Sequence, residues 1–267
     1  MSPASDVQPA IDRATLRSGV ASLECFVVPW DSEIFGFGVA EISRLDLPTG
    51  PDGSALFEAF DAWCAEREVR LVTCRLDHER LRDSMTLESN GFRFSEMVYT
   101  PRLEPIGEVS APRIALDVAE ADEGDIESIE DVARSAFTTG RYLLDHRLPS
   151  ELNGRRYARW VRSAFESPTQ QVIKAVHEGE LVGFFCLEAD QGDVYWHLTA
   201  VAPGWQGRGV GVSLWRTMLR RHAAEGARSV TTTISAHNLA VINLYVRLGF
   251  SFAAAQMTFH RLRESRE

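Results

Sequence analysis

A mixed α/β fold, with a central mixed sheet flanked by helices and a partial, degenerate copy of itself in front, is what the sequence predicts. Three observations carry the prediction. Apolar residues in the second half recur first at helical and then at strand spacing, in the order α-α-β-β-β-loop-α-β-α-β. The chain also matches itself: moved by 158 positions, residues 53–100 fall on 211–258 without a gap, with eleven identical columns that include Leu56/Leu214, Arg70/Arg228, Leu81/Leu239, Gly91/Gly249 and Phe92/Phe250. Both copies read helix, strand, helix, Gly-Phe, strand. Finally, 267 residues with 45% apolar and 25% charged side chains make an ordinary globular composition, which excludes disordered, collagenous and coiled-coil chains.

The elements follow in order. In the first half, residues 71–76 and 92–99 are strand-rich and continue a sheet. Residues 101–113, with three prolines and two acids, read as a linker, so the domains divide into 1–105 and 106–267. Ile126, Ile129, Val132, Ala133 and Phe137 then lie at helical spacing behind an acidic start at Asp122, Glu123 and Asp125, which suits the positive end of a helix dipole. A second helix over 152–165 stops at Ser167-Pro168. Residues 171–177 and 181–187 flank Glu178-Gly179-Glu180 as a hairpin, and 194–201 form a third strand. Val210, Leu214, Trp215, Met218, Leu219 and His222 mark a helix that Gly226 stops. The β-branched run 229–235 reads as one strand. Asn238 stands where an N-cap belongs, the helix runs to Leu248, Gly249 closes it, and 251–260 is the last strand.

Charge and cysteines bound the function. Lys and Arg number 28 and Asp and Glu 38, a net −10 that argues against nucleic acid or an anionic membrane surface as partner. Cys25, Cys64, Cys74 and Cys186 form no C-x-x-C, and the seven histidines no HExxH, so no metal site is expected. The longest apolar run, 181–187, is far below the roughly 18 residues of a membrane span. With no signal-peptide core at residues 1–20, a cytoplasmic location is expected. The oligomeric state stays open, a homodimer included.

The most informative segment is Gln206-Gly207-Arg208-Gly209-Val210-Gly211, between a strand and a helix. Alternate glycines let backbone N–H groups converge on one point, and the helix behind them adds unpaired donors and its dipole. That is an anion site needing little net positive charge. The plainer reading is a glycine-rich turn. Neither a GK[ST] P-loop nor a dinucleotide fingerprint is present.

Here the chain resembles a family. The strand 194–201 followed by Gln206-x-x-Gly209-x-Gly211 is similar to the acetyl-coenzyme A motif of the GNAT superfamily of N-acetyltransferases. The later Asn238 and Asn243-Leu244-Tyr245-x-x-x-Gly249-Phe250 resemble a second motif of the same superfamily. The resemblance implies that Leu198, Thr199, Ala200 and Val201 hold the pantetheine arm through backbone groups. Gln206, Gly207, Arg208, Gly209, Val210 and Gly211 would cradle the pyrophosphate, with Asn238 on the coenzyme arm. Tyr245 matches the family's general acid, and its phenol, with a reference pKa of about 10, is protonated at neutral pH. The base is one of His197, Glu188 or a water relay, while His237 reads as a loop residue. Leu87 stands at the first copy's equivalent of Tyr245, Arg80 at that of Asn238, and Pro48-Thr49-Gly50-Pro51 at that of the glycine loop. One active site per chain is therefore expected, in the second half.

Two further segments are similar to the TDP-fucosamine acetyltransferase group: Trp30-Asp31-Ser32 through Gly36, and Phe137 through Pro149 with Tyr157 and Trp160. The group's pattern has a serine where Gly140 precedes Arg141. By this resemblance Arg141, Tyr142, Arg147 and Tyr157 face the acceptor, an amino-sugar nucleotide. Six arginines between 141 and 162, interleaved with aromatic residues, suit a diphosphate and a sugar, though a solvated helix face accounts for them equally. The alternatives are another small amine or a peptide N-terminus as acceptor, or a catalytically silent acyl-coenzyme A-binding module.

Overall fold

The computed structural model describes residues 11–47 and 53–263. The first copy's counterpart of the glycine loop, Pro48 to Pro51, lies outside the described residues. The chain divides into two compact units, residues 1–96 with 256–267, and residues 97–255.

The first unit contains β1 (Arg13–Ser18), β2 (Ala21–Val27), α1 (Pro29–Phe35), β3 (Gly38–Asp46), α2 (Gly53–Glu66), β4 (Val69–Asp77), α3 (Leu81–Ser89) and the start of β5 (Arg93–Leu103). Its strands run β1-β2-β3-β4, antiparallel except for the parallel β3·β4 pair. Helix α2 packs on β1, β2 and β4 and buries Leu56, Phe57, Phe60 and Cys64. Burial of each such side chain contributes roughly 1.5–3 kcal/mol.

The second unit contains β6 (Asp117–Glu120), α4 (Glu123–Ala136), α5 (Arg141–Leu144), α6 (Glu151–Glu166), β7 (Gln170–His177), β8 (Glu180–Asp190), β9 (Asp193–Val201), α7 (Val210–Ala224), β10 (Ser229–Thr232), β11 (Ile234–Ser235), α8 (Leu239–Arg247) and the start of β12 (Ser251–Leu262). The sheet order is β6-β7-β8-β9-β10-β5, with β9·β10 parallel and the other pairs antiparallel. One face carries Phe185, Trp196, Leu214, Trp215, Met218, Tyr245 and Phe250 in a single core, and the other packs Phe184, Cys186, Leu198 and Ala200 against Ile126, Ile129 and Val161 of α4 and α6. A Cβ on Gly183 would stand 2.4 Å from the Ala200 carbonyl and 2.8 Å from Leu214, so only glycine lets β8, β9 and α7 come this close.

The self-match holds at the level of whole elements. Helix α3, Leu81–Ser89, returns 158 positions later as α8, Leu239–Arg247, and α2, β4 and β5 return as α7, β10 and β12. The last strands, however, are exchanged. Gln256 to Leu262 of β12 pair antiparallel with Asp77 to Leu71 of β4, in the first unit. In the second unit Arg102 and Leu103 of β5 pair with Thr231 and Val230 of β10, and Val98 and Tyr99 with Ser235 and Ile234 of β11. Each copy is completed by the other copy's final strand.

Three expectations change. Residues 101–103 are strand, because β5 runs on to Leu103 beside β10, and the rest of the expected linker lies along α7. There the Arg220 and Arg216 guanidiniums donate to the Val109 and Ala111 carbonyls at 3.0 and 3.4 Å, and Ser213 Oγ accepts from Ile114 N at 3.1 Å. The compact units accordingly divide at 96/97, and the end of β12 belongs with the first. The run 229–235 is two strands, since β10 stops at Thr232 and β11 pairs only with β5. The short β6 and α5 had no periodic signature to announce them.

Candidate active site

Strand β9 is paired with β10 only as far as Trp196↔Thr232, yet continues to Val201. Residues 198–201 thus leave backbone N–H and C=O groups without a strand partner on the β10 side. Thr232 closes the ladder by donating its hydroxyl to the Trp196 carbonyl at 2.7 Å. Immediately before the opening β9 holds an extra residue: Leu187 faces Trp196 and Cys186 faces Leu198, which leaves His197 as the bulge. The bulge inverts the strand. Val194 and Trp196 lie in the α7-side core, Leu198 and Ala200 in the α4/α6 core, and Thr199 is returned to the α7 side opposite Phe185.

The glycine loop follows at the end of β9. Gly207 and Gly209 have φ of +74° and +79°, a region that L side chains rarely adopt, and nothing lies within 4 Å of a Cβ built on either. Gly209 is the N-cap of α7 and supplies no side-chain acceptor, so the helix presents its first N–H groups to the exterior. Gln206 Nε2 donates to the Val201 carbonyl at 3.0 Å, and the Arg208 guanidinium lies 5.5 Å from the Trp205 ring centroid. Asn238 does cap α8: its Oδ1 accepts from Val241 N at 3.3 Å, which leaves its NH2 outside the cap bond. His237 is exposed in the preceding turn.

Tyr245 is 2% exposed, with its ring 4.8 Å from Phe250 and 6.4 Å from Trp215 by centroid. Burial pushes its phenol above the ordinary range, opposed in part by the polar groups of Trp215, Thr199 and Thr232 around it. The phenol is thereby aimed at the point where β9 and β10 part. His197 Nε2 lies 3.3 Å from Glu188 Oε2, and its ring is 4.7 Å from that of Tyr195, whose hydroxyl is 2.6 Å from Thr233 Oγ1. The two base candidates of the sequence are one hydrogen-bonded pair.

On the acceptor-side segment, Arg141 Nη2 donates to Tyr142 Oη at 3.0 Å, and Arg156 lies over Tyr142, Tyr157 and Trp160 at 5.0, 5.9 and 5.3 Å. Phe137, Tyr157 and Trp160 are stacked, with centroids 4.2 and 6.4 Å apart. Arg147 is held by two bonds to the buried Asp145 at 2.8 and 2.7 Å, and Arg162 is bound by Glu130 and Glu123. A Cβ at Gly140 would meet Tyr157 Oη at 2.5 Å, so a serine there would require the end of the Tyr157 side chain to shift. Sequence reasoning missed the bulge, the His197–Glu188 pair and the position of Trp215 beside the phenol. The aromatic spacing of α7 marked Trp215 only as core.

Among the described residues no group of His, Cys, Asp or Glu side chains has a metal-holding arrangement, and no helix is long and apolar enough to cross a membrane. Residues 128–250 match the acetyltransferase (GNAT) family. Over 231 residues, 86% of this chain and 80% of the relative, the sequence is 22% identical to the spore coat polysaccharide biosynthesis protein SpsD of Bacillus subtilis. The fold is similar to a GCN5-related N-acetyltransferase from Sphaerobacter thermophilus, with TM-score 0.66, 15% identity, and 92% of this chain and 78% of that one covered. A tandem GNAT protein of the clavulanic acid biosynthesis pathway is similar over 98% of this chain and 86% of its own, with TM-score 0.62 and 15% identity.

Proposed function

We propose, from the premise that residues 128–250 are a GNAT acetyltransferase domain and the chain an acyltransferase, that it moves an acetyl group from acetyl-coenzyme A directly to a primary amine, with an amino-sugar nucleotide as acceptor. The observation that carries the reading is the opening of β9 from β10 directly before an uncapped helix N-terminus. Peptide groups of Leu198 to Val201 pair with the amide-rich pantetheine arm, and the N–H groups of residues 206–211 take the pyrophosphate. This holds an anionic co-substrate in a chain of net charge −10. The Asn238 NH2 bonds the arm near the thioester.

The neutral amine attacks the thioester carbonyl, a C–N bond forms and the C–S bond breaks. Tyr245 gives its proton to the leaving thiolate, and His197, held by Glu188, takes the proton the amine loses. Arg141, Tyr142, Arg147 and Tyr157 face the acceptor. The likeness to a protein named for polysaccharide biosynthesis favours a sugar amine over a peptide N-terminus. Calorimetry with acetyl-coenzyme A tests the premise, and absence of binding sinks it. Thiol release with a panel of amino-sugar nucleotides set against free amines tests the acceptor, and a preference for the free amines overturns that part.

A further inference from the structure

Trp215 lies on α7 with its indole 2% exposed and packed between Phe185, Trp196 and Tyr245, at centroid distances of 5.1, 6.4 and 6.4 Å. Its Nε1–H meets no acceptor at hydrogen-bond geometry among the described residues. A buried donor in that state is costly and uncommon in native proteins. Its neighbour Trp196, in the same core, has its own Nε1–H satisfied by His222 Nε2 at 3.0 Å, so the core does not lack means of pairing an indole. The ring of Tyr245 meets the indole edge to face at 68°, and the phenol it carries feels the polar end of Trp215.

We infer that Trp215 is a positioning residue for Tyr245, its indole N–H held ready for the phenolate oxygen that exists only after the phenol has given up its proton. The inference rests on the proposed role of Tyr245. A neutral phenol oxygen is a modest acceptor and a phenolate a strong one, so the bond shortens as the proton leaves and favours the later state over the resting one. Atoms balance: the amine nitrogen bonds to the acetyl carbon, the sulfur departs with the C–S electron pair and takes the phenol proton, and the amine's proton, received by His197, leaves to solvent. Solvent water then returns a proton to Tyr245. The groups around the phenol from the surrounding elements are Thr199 on β9, Thr232 on β10 and Trp215 on α7, and the ionisable Tyr195, whose ring lies against His197, acts on it only through its charge. Of these only Trp215 is an obligate donor.

The test uses the full chain and its Trp215→Phe variant, which keeps a ring and removes the N–H. Steady-state thiol release should show kcat lower by about tenfold or more, as for loss of a hydrogen bond to a charged group, with KM for acetyl-coenzyme A unchanged. The ultraviolet titration assigned to Tyr245 by subtraction of Tyr245→Phe should move to higher pH. In the wild type, the Trp215 indole N–H resonance should shift as that phenol ionises, a readout that survives if the variant folds poorly. A titration that Trp215→Phe leaves in place, or an indole resonance that ignores the phenol, overturns the inference while Tyr245→Phe still abolishes turnover. If Tyr245→Phe retains full turnover, the acid role itself fails, and the catalytic role of Trp215 with it.

Discussion

The two copies differ most where their parallel strands part. Each has a bulge directly after its last parallel pair: Ser43 in the first, where Cys25 faces Ile42 and Glu24 faces Arg44, and His197 in the second. Those last pairs are Ile42↔Cys74 and Trp196↔Thr232. From there they diverge. In the first copy Arg80 reaches across with Nε on Asp83 at 2.7 Å and Nη2 on the Leu45 carbonyl at 2.6 Å, which occupies the exposed edge of β3 with the protein's own side chain. In the second, the matching Asn238 turns back to cap α8 and leaves the edge of β9 open. Ser43 and His197 are 154 positions apart but Leu81 and Leu239 are 158, so the second copy has four more residues in this stretch, before α7, where the glycine loop lies. The opening is a property of the fold and survives duplication, whereas binding and chemistry depend on whether the opening is left vacant and what surrounds it.

That contrast can be broken in four ways, in falling order of expected effect. Tyr245→Phe should lower kcat for thiol release by roughly 10²–10⁴, the usual worth of a positioned acid, while substitution of its counterpart Leu87 by Ala should lower only the melting temperature. Gly209→Val forces a β-branched residue to φ +79° and crowds the N–H cradle. Calorimetry should show acetyl-coenzyme A bound about tenfold more weakly, for a strain of roughly 1–2 kcal/mol. Gly36→Val in the first unit carries similar strain at φ +72° and should leave that affinity unchanged.

Arg80→Asn removes the plug from the first copy. Stability should drop by about 1 kcal/mol in chemical denaturation, because a partly exposed charged donor is lost. The stoichiometry of acetyl-coenzyme A should remain one per chain, and a second equivalent would mean that the plug alone silences the first copy. The smallest effect concerns pH. Burial, against a partial opposing effect of Glu225, holds the His222 imidazole below its ordinary range, and the ring accepts from Trp196 in its neutral form. The unfolded chain therefore binds this proton more readily, so the stabilisation is complete above about pH 6.5 and lost as pH falls below it. His222→Gln should flatten the acid side of the stability profile by at most about 1.4 kcal/mol per pH unit, measured by denaturant titrations at several pH values.

Much of this was legible before any coordinates. Alternate glycines marked the loop, resemblance to a family's motifs singled out Asn238 and Tyr245, and the 158-residue register placed α2 on α7 and α3 on α8 because each element's apolar face repeats with it. What escaped was of another kind. The bulge at His197 is one extra residue in an otherwise regular alternation, visible only when the partner strand is known. The strand breaks at Thr233, inside a β-branched run, because β9 is lost as a neighbour there while β5 is kept, and no propensity encodes the loss of a neighbour. Trp215 reads as core at helical spacing, and only its place beside a buried phenol gives its N–H a meaning.

The exchanged final strands set an order of events during synthesis. The open edge of β4 is matched by residues 256–262, which are made after the whole of the second unit, so the first unit stays incomplete until they have emerged from the ribosome. For that interval β4, apolar at Leu71, Val72, Cys74 and Leu76 and paired only with β3, offers an open edge to other nascent chains. A stop codon at position 256 would spare every residue proposed for catalysis, yet would yield a product captured by chaperones or aggregated.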